Sequence, residues 1–170
     1  MKKTIILAFT LAVLVSCTSK ETKNNIQTET TVQTKNKQVM ISEEKQRIEV
    51  LLGEYKKSLN TSDAKLAQSL YTKDGMFMPT EAPSGIGSDG ILQSYEYVFS
   101  QIQLNIEFFI EEIEVEGSMA FAITSSKGTV KIHANGVEAP EENRELFVFE
   151  KVDGEWKIAR YMFNKTEPKS

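Results

Sequence analysis

Cysteine and histidine are almost missing from this chain, which has one of each, Cys17 and His133, in 170 residues. A single cysteine excludes an internal disulfide. A single histidine excludes a His-based metal cluster, and no Cys/His spacing suits zinc. A Gly-rich phosphate loop and a Gly-x-Ser-x-Gly elbow are also lacking. No metal or other cofactor is therefore expected. A basic excess is absent too: the chain carries a net charge of −4. Without a basic stripe to neutralise phosphates, nucleic acid is not an expected partner. No side-chain attraction to anionic membrane surfaces is expected either.

Long apolar runs are scarce, and the one at the start is short. Ile5 to Val15 is apolar except for Thr10, and Lys2-Lys3 precede it. Eleven helical residues rise about 16 Å, roughly half the hydrocarbon thickness of a bilayer. The layout is that of a secretory signal rather than a membrane span. Leu14-Val15-Ser16-Cys17 resembles a bacterial lipobox, in which the cysteine is acylated and becomes the new N-terminus. The sequence thus predicts a signal peptide over 1–16 and a protein held in the bacterial cell envelope by lipid on Cys17. Thr18, a non-acidic residue after the cysteine, resembles the pattern for outer-membrane delivery. Removing 1–16 leaves eighteen basic against twenty-four acidic residues, a net charge of −6.

Residues 17–41 read as a flexible tether. The stretch is rich in Thr, Lys, Asn, Gln and Glu and has no aromatic residue. It cannot bury enough apolar surface to offset its chain entropy. As a coil it would span roughly 25–30 Å. A single folded domain is expected over 42–165.

Helices are expected first in that domain. Ser42 can cap a helix, and Ile48, Leu51, Leu52, Tyr55 and Leu59 form one apolar stripe. Ser62 is read as the cap of a second helix ending at Asp74-Gly75, and a third starts near Ser88-Asp89. After Ser100 the period changes to two. Ile102 to Ile110 alternate, and then Ile113 and Val115 shift parity, as a β-bulge would require. Asn135-Gly136 and Asp153-Gly154 mark turns between later strands. The order implies an α+β fold in which a curved, mostly antiparallel sheet wraps three N-terminal helices around a pocket. Leu146-Phe147-Val148-Phe149 is apolar on both parities, so both sheet faces need cover, and a homodimer is the simplest way to supply it.

Several segments together resemble the SnoaL-like, ketosteroid isomerase-like branch of the nuclear transport factor 2-like superfamily. They are Tyr55-x3-Leu59-Asn60-x2-Asp63, Leu70-Tyr71-Thr72-Lys73-Asp74-Gly75, Met78-Pro79-Thr80-Glu81-Ala82-Pro83 and Asp153-Gly154-Glu155-Trp156-Lys157-Ile158. The resemblance implies a cone-like domain with a deep apolar pocket and frequent homodimers. It also implies roles. Tyr55 falls where the isomerase pattern has its oxyanion tyrosine, and Glu145 falls near the second donor position. The usual base position is occupied by Met78-Pro79, neither of which takes up a proton. Glu81, in the following loop, is a candidate relocated acid.

These readings give a ligand pocket lined by Tyr55, Met76, Met78, Phe99 and Trp156, with Tyr55, Glu145 and Glu81 as catalytic candidates. The leading expectation is an envelope-anchored pocket domain that binds a small apolar or amphipathic molecule without the usual base. An isomerase, dehydratase or cyclase using Tyr55 and a relocated carboxylate is the alternative. A dimerising protein-interaction module, using Phe147 and Phe149, is a further one.

Overall fold

The computed structural model describes residues 21–166. The signal read over 1–16 and the lipidation site at Cys17 lie outside the described residues. The chain divides into two units, Met1–Val39 and Met40–Ser170. The described part of the first unit, residues 21–39, is helical and opens α1 (Glu21–Asn60). The sequence reading places a coil here and a helix start at Ser42. Residues 22–38 contain no Gly or Pro, so nothing in the covalent chain stops the helix from propagating toward Glu21.

In the second unit, α1 buries the stripe read from its spacing: Ile48, Leu51, Leu52, Tyr55 and Leu59. After a turn through Ser62 (φ 55°) comes α2 (Ala64–Ser69). Its cap is Asp63, not Ser62: Asp63 Oδ1 accepts from the Leu66 amide at 2.9 Å. The helix ends by Leu70, whose amide bonds back to Ala67. Asp74-Gly75, read as a helix stop, lies inside β1 (Tyr71–Met78). Next come β2 (Gly85–Ile86), α3 (Gly87–Gln101), β3 (Ile102–Glu116), β4 (Met119–Ile132), β5 (Glu138–Val152) and β6 (Glu155–Lys165).

The strands form one six-stranded sheet in the order β2-β1-β6-β5-β4-β3. Only β1 and β6 pair in parallel; the other neighbours are antiparallel. The sheet is curved and unclosed, and the helices pack against it, as the α+β expectation requires. The parity shift read in β3 is a register shift between Ile110 and Glu112. A second shift, opposite Val148/Phe149, leaves both Ile158 and Ala159 of β6 buried. From there Tyr161 and Phe163 follow the inward parity. β4 runs through Gly128 without a break. A Cβ there would strike the Asn105 carbonyl oxygen and come within 2.8 Å of Ile106 Cα, so β3 lies close only because the side chain is missing.

On β5 every second residue faces inward: Glu141, Asn143, Glu145, Phe147 and Phe149 are all buried. The other parity forms the outer face, where Leu146 and Met162 are paired neighbours and both exposed. Phe147 and Phe149, read as part of a partner-covering face, therefore belong to the core.

Candidate functional site

The site grows out of the inward face of β5 and its register with β4. Phe147 continues the apolar core, where its ring stacks on Tyr161 at 4.2 Å between centroids. Two residues earlier the same face turns polar. Glu145 lies opposite Thr124, and Asn143 lies opposite Ser126. Both pairs are bonded across the strands: Thr124 Oγ1 donates to Glu145 Oε2 at 2.5 Å, and Asn143 Nδ2 donates to Ser126 Oγ at 3.4 Å. Glu141, next in the row, accepts from Asn143 Nδ2 at 3.1 Å and from Lys165 Nζ at 2.7 Å. Three polar side chains thus sit side by side beneath the helices.

They border an inner cavity of about 90 Å³, whose other walls include Tyr55 from α1, Phe77 and Pro79 from β1 and its following residue, Val98 from α3, and Leu104 from β3. Phe77, Pro79, Val98, Ile102, Glu141 and Phe163 also line an outer cleft of about 710 Å³, bounded by the loop Thr80–Ser84 and by Lys165. The two spaces share these walls.

Burial controls the ionisation here. Glu145 is 5 % exposed, and loss of water pushes its carboxyl up to about 7, against the bonds from Thr124, Ser126 and Tyr161 that favour the anion. The carboxyl therefore changes charge near neutral pH. Burial also holds the Tyr55, Tyr71, Tyr95 and Tyr161 phenols well above their usual range, so all four keep their protons. Three of these hydroxyls form a chain. Tyr71 Oη lies 2.8 Å from Tyr95 Oη, and Tyr95 Oη lies 2.5 Å from Tyr55 Oη. Tyr161, whose ring meets Tyr55 edge-on at 5.2 Å between centroids, donates to Glu145 Oε1 at 3.4 Å.

The site residues read from the sequence fall into three groups. Tyr55 and Glu145 both line the inner cavity. Glu81 lines the outer cleft. Met76, Met78, Phe99 and Trp156 line neither space. In the extended run Met76-Phe77-Met78 only one parity can face inward, and Phe77 takes it at 3 % exposure. Phe99 is buried against Tyr95, one turn away from the cavity wall. Trp156 donates from Nε1 to Glu44 at 2.7 Å and carries Lys151 over its ring, an arrangement on the α1 side of the sheet. At the position where the isomerase resemblance places a base, Pro79 gives an apolar wall. His133 is exposed, with Nδ1 3.0 Å from the Ser100 carbonyl. Among the described residues no group of three or more His, Cys, Asp or Glu side chains is arranged to hold a metal.

Asn143, Thr124 and Ser126 were not singled out by the sequence. Their signal was the parity of Phe147 and Phe149: counting back by twos from those rings reaches Glu145, Asn143 and Glu141. Small polar residues on a strand ordinarily indicate the wet face, and that prior hides them.

Comparison with known proteins agrees with this fold. No curated protein matches the chain. Among solved structures, it is similar to a ketosteroid isomerase-like protein from Erwinia carotovora atroseptica, at 30% identity and a TM-score of 0.68, over 71% of this chain and 95% of that one. It is similar in fold to a nuclear transport factor 2-like superfamily protein from Salmonella enterica serovar Typhimurium, at 20% identity and a TM-score of 0.67, over 76% and 95% of the two chains. A conserved protein from Planctomyces limnophilus shares the fold at 19% identity and a TM-score of 0.65, over 73% and 98%. The SnoaL-like domain family matches residues 48–163, which hold every wall of the cavity, and the chain belongs to that family.

Proposed function

We propose that this SnoaL-like domain binds a small, mostly apolar molecule, and that lipid on Cys17 holds it at the bacterial cell envelope. One observation carries the binding reading: an inner cavity with apolar walls on which Asn143 and Glu145 converge, opening beside a larger cleft. Sites for small ligands combine these elements, greasy walls and a few placed polar groups. The apolar wall at Pro79, where the isomerase pattern has its base, favours binding over the family's usual chemistry. A ligand that prefers the folded state raises the melting temperature. Thermal melts of the purified protein with a panel of steroids, fatty acids and aromatic compounds should show concentration-dependent upward shifts for at least one class. A panel without any shift would sink the reading.

A second reading rests on Glu145. A buried carboxyl that titrates near 7 suits a general acid or base at neutral pH. In that case a bound enone or hydroxy-ketone is converted, and Glu145→Gln abolishes the conversion while leaving binding in place.

The anchoring reading is supported by the lipobox-like run that ends at Cys17. Several acyl chains, each methylene contributing about 0.8 kcal/mol, anchor firmly. Cys17→Ala is expected to move the protein from the membrane to the soluble fraction on cell fractionation. Equal membrane retention of both forms would remove the lipid from the account.

A further inference from the structure

Most hydrogen-bonding groups around the inner cavity already have partners. Tyr71, Tyr95 and Tyr55 share two hydroxyl hydrogen bonds, and Tyr161 donates to Glu145 Oε1. Thr124 also spends its proton on Glu145. Asn143 spends both of its bonds from Nδ2, on Glu141 and Ser126. The amide orientation is fixed by chemistry, because the Glu141 carboxylate must face the NH2 group and not the carbonyl oxygen. What remains is an acceptor. Asn143 is 6 % exposed, lines the cavity, and its Oδ1 has no partner. A buried acceptor left in this state is costly and invites a donor.

We propose that the molecule bound in this cavity carries a hydrogen-bond-donating head, an O–H or N–H group, which it gives to Asn143 Oδ1 beside Glu145. This inference rests on the pocket reading above and narrows it. An oxyanion hole demands the reverse arrangement, with free protein donors pointed at a ligand oxygen that only accepts. Here the group without a partner is an acceptor, Asn143 Oδ1, and a ketone has no proton to offer it. An alcohol or amine of the same shape would satisfy Asn143.

The test uses matched rings on the intact protein at pH 9, where Glu145 has lost its proton: cyclohexanol, which donates; cyclohexanone, which only accepts; methylcyclohexane, which does neither; and cyclohexylamine, which donates as a cation. Dissociation constants come from ligand- or protein-observed NMR titration. Cyclohexanol or cyclohexylamine should bind about tenfold tighter than cyclohexanone, the discrimination expected when one buried acceptor is paired or left unpaired. The tighter of the two donors identifies the head as neutral or charged. Asn143→Leu should erase the preference. The wild-type ranking decides even if that variant does not fold. Cyclohexanone binding as tightly as cyclohexanol, or more tightly, overturns the donor inference while the pocket stands. No binding by any of the four, with a shift from the larger panel above, overturns this inference while the pocket stands; no binding by either set removes both.

Discussion

Glu145→Gln is expected to stabilise the protein at pH 8 by up to about 3 kcal/mol and to change it little at pH 4. Burial raises the folded-state carboxyl from an ordinary 4.5 to about 7. Between those values the folded protein binds more proton than the unfolded chain. Stability therefore falls as pH rises through this window, and the full penalty is present above it. Glutamine keeps the shape and an oxygen for Thr124 but cannot ionise, so the slope should vanish. Tyr161 from β6, Tyr55 from α1 and Tyr95 from α3 surround this carboxyl, and all three stay protonated across the range. Glu44 titrates in the opposite sense: its bond from Lys151 holds it low, so its contribution is lost at the acid end, below the window. Urea unfolding at intervals from pH 4 to pH 8 measures the slope directly. Parallel curves for the two proteins would show that Glu145 does not carry the charge change.

Phe147→Ala is expected to cost about 3–5 kcal/mol, a large share of the stability of a domain this size. The ring is fully buried. It stacks on Tyr161 at 4.2 Å and on Phe149 at 5.8 Å, and meets Tyr55 edge-on at 5.5 Å. Such pairs add to the area term. Truncation leaves a hole that the neighbouring strands cannot close, because β5 is fixed in register on both sides. The melting temperature should fall by roughly 10–20 °C. Leu146→Ala is the control: the side chain next door faces outward and is 39 % exposed, and its loss should cost under about 1 kcal/mol. Equal losses at the two positions would mean that the inward and outward parities of β5 are misassigned.

The elements with the strongest periodic signal were the most legible. The α1 stripe from Ile48 to Leu59 follows from three- and four-residue spacing alone, and the β3 bulge follows from a break in a period of two. Both are local. What was not legible depends on partners distant in sequence. Met76-Phe77-Met78 offers apolar side chains on both parities, and only pairing with β6 decides that Phe77 faces in. Asp74-Gly75 has the composition of a helix stop, yet Ser69 and Leu70 had already closed the helix. Tyr55 and Glu145 were found through family resemblance. That Tyr55 bonds Tyr95 and that Glu145 accepts from Tyr161 could not be, since Tyr71, Tyr95 and Tyr161 look like ordinary core aromatics. The polar floor of Thr124, Ser126 and Asn143 was hidden for the same reason that makes it useful: it puts hydrophilic groups where a strand normally puts grease.

The parallel pairing of β1 with β6 has a consequence for how the domain comes into being. Tyr71 finds its register opposite Ile158, so the first strand waits for the last. During synthesis the helices and β1 leave the ribosome long before their partner exists. Contacts of such high sequence separation form slowly, and meanwhile β1 has only the two-residue β2 to pair with. A nascent chain interrupted after β5 can zip its meander together, yet it has no seat for β1 and no finished cup. Completion of the hollow is thus the final event of folding, tied to arrival of the chain's tail.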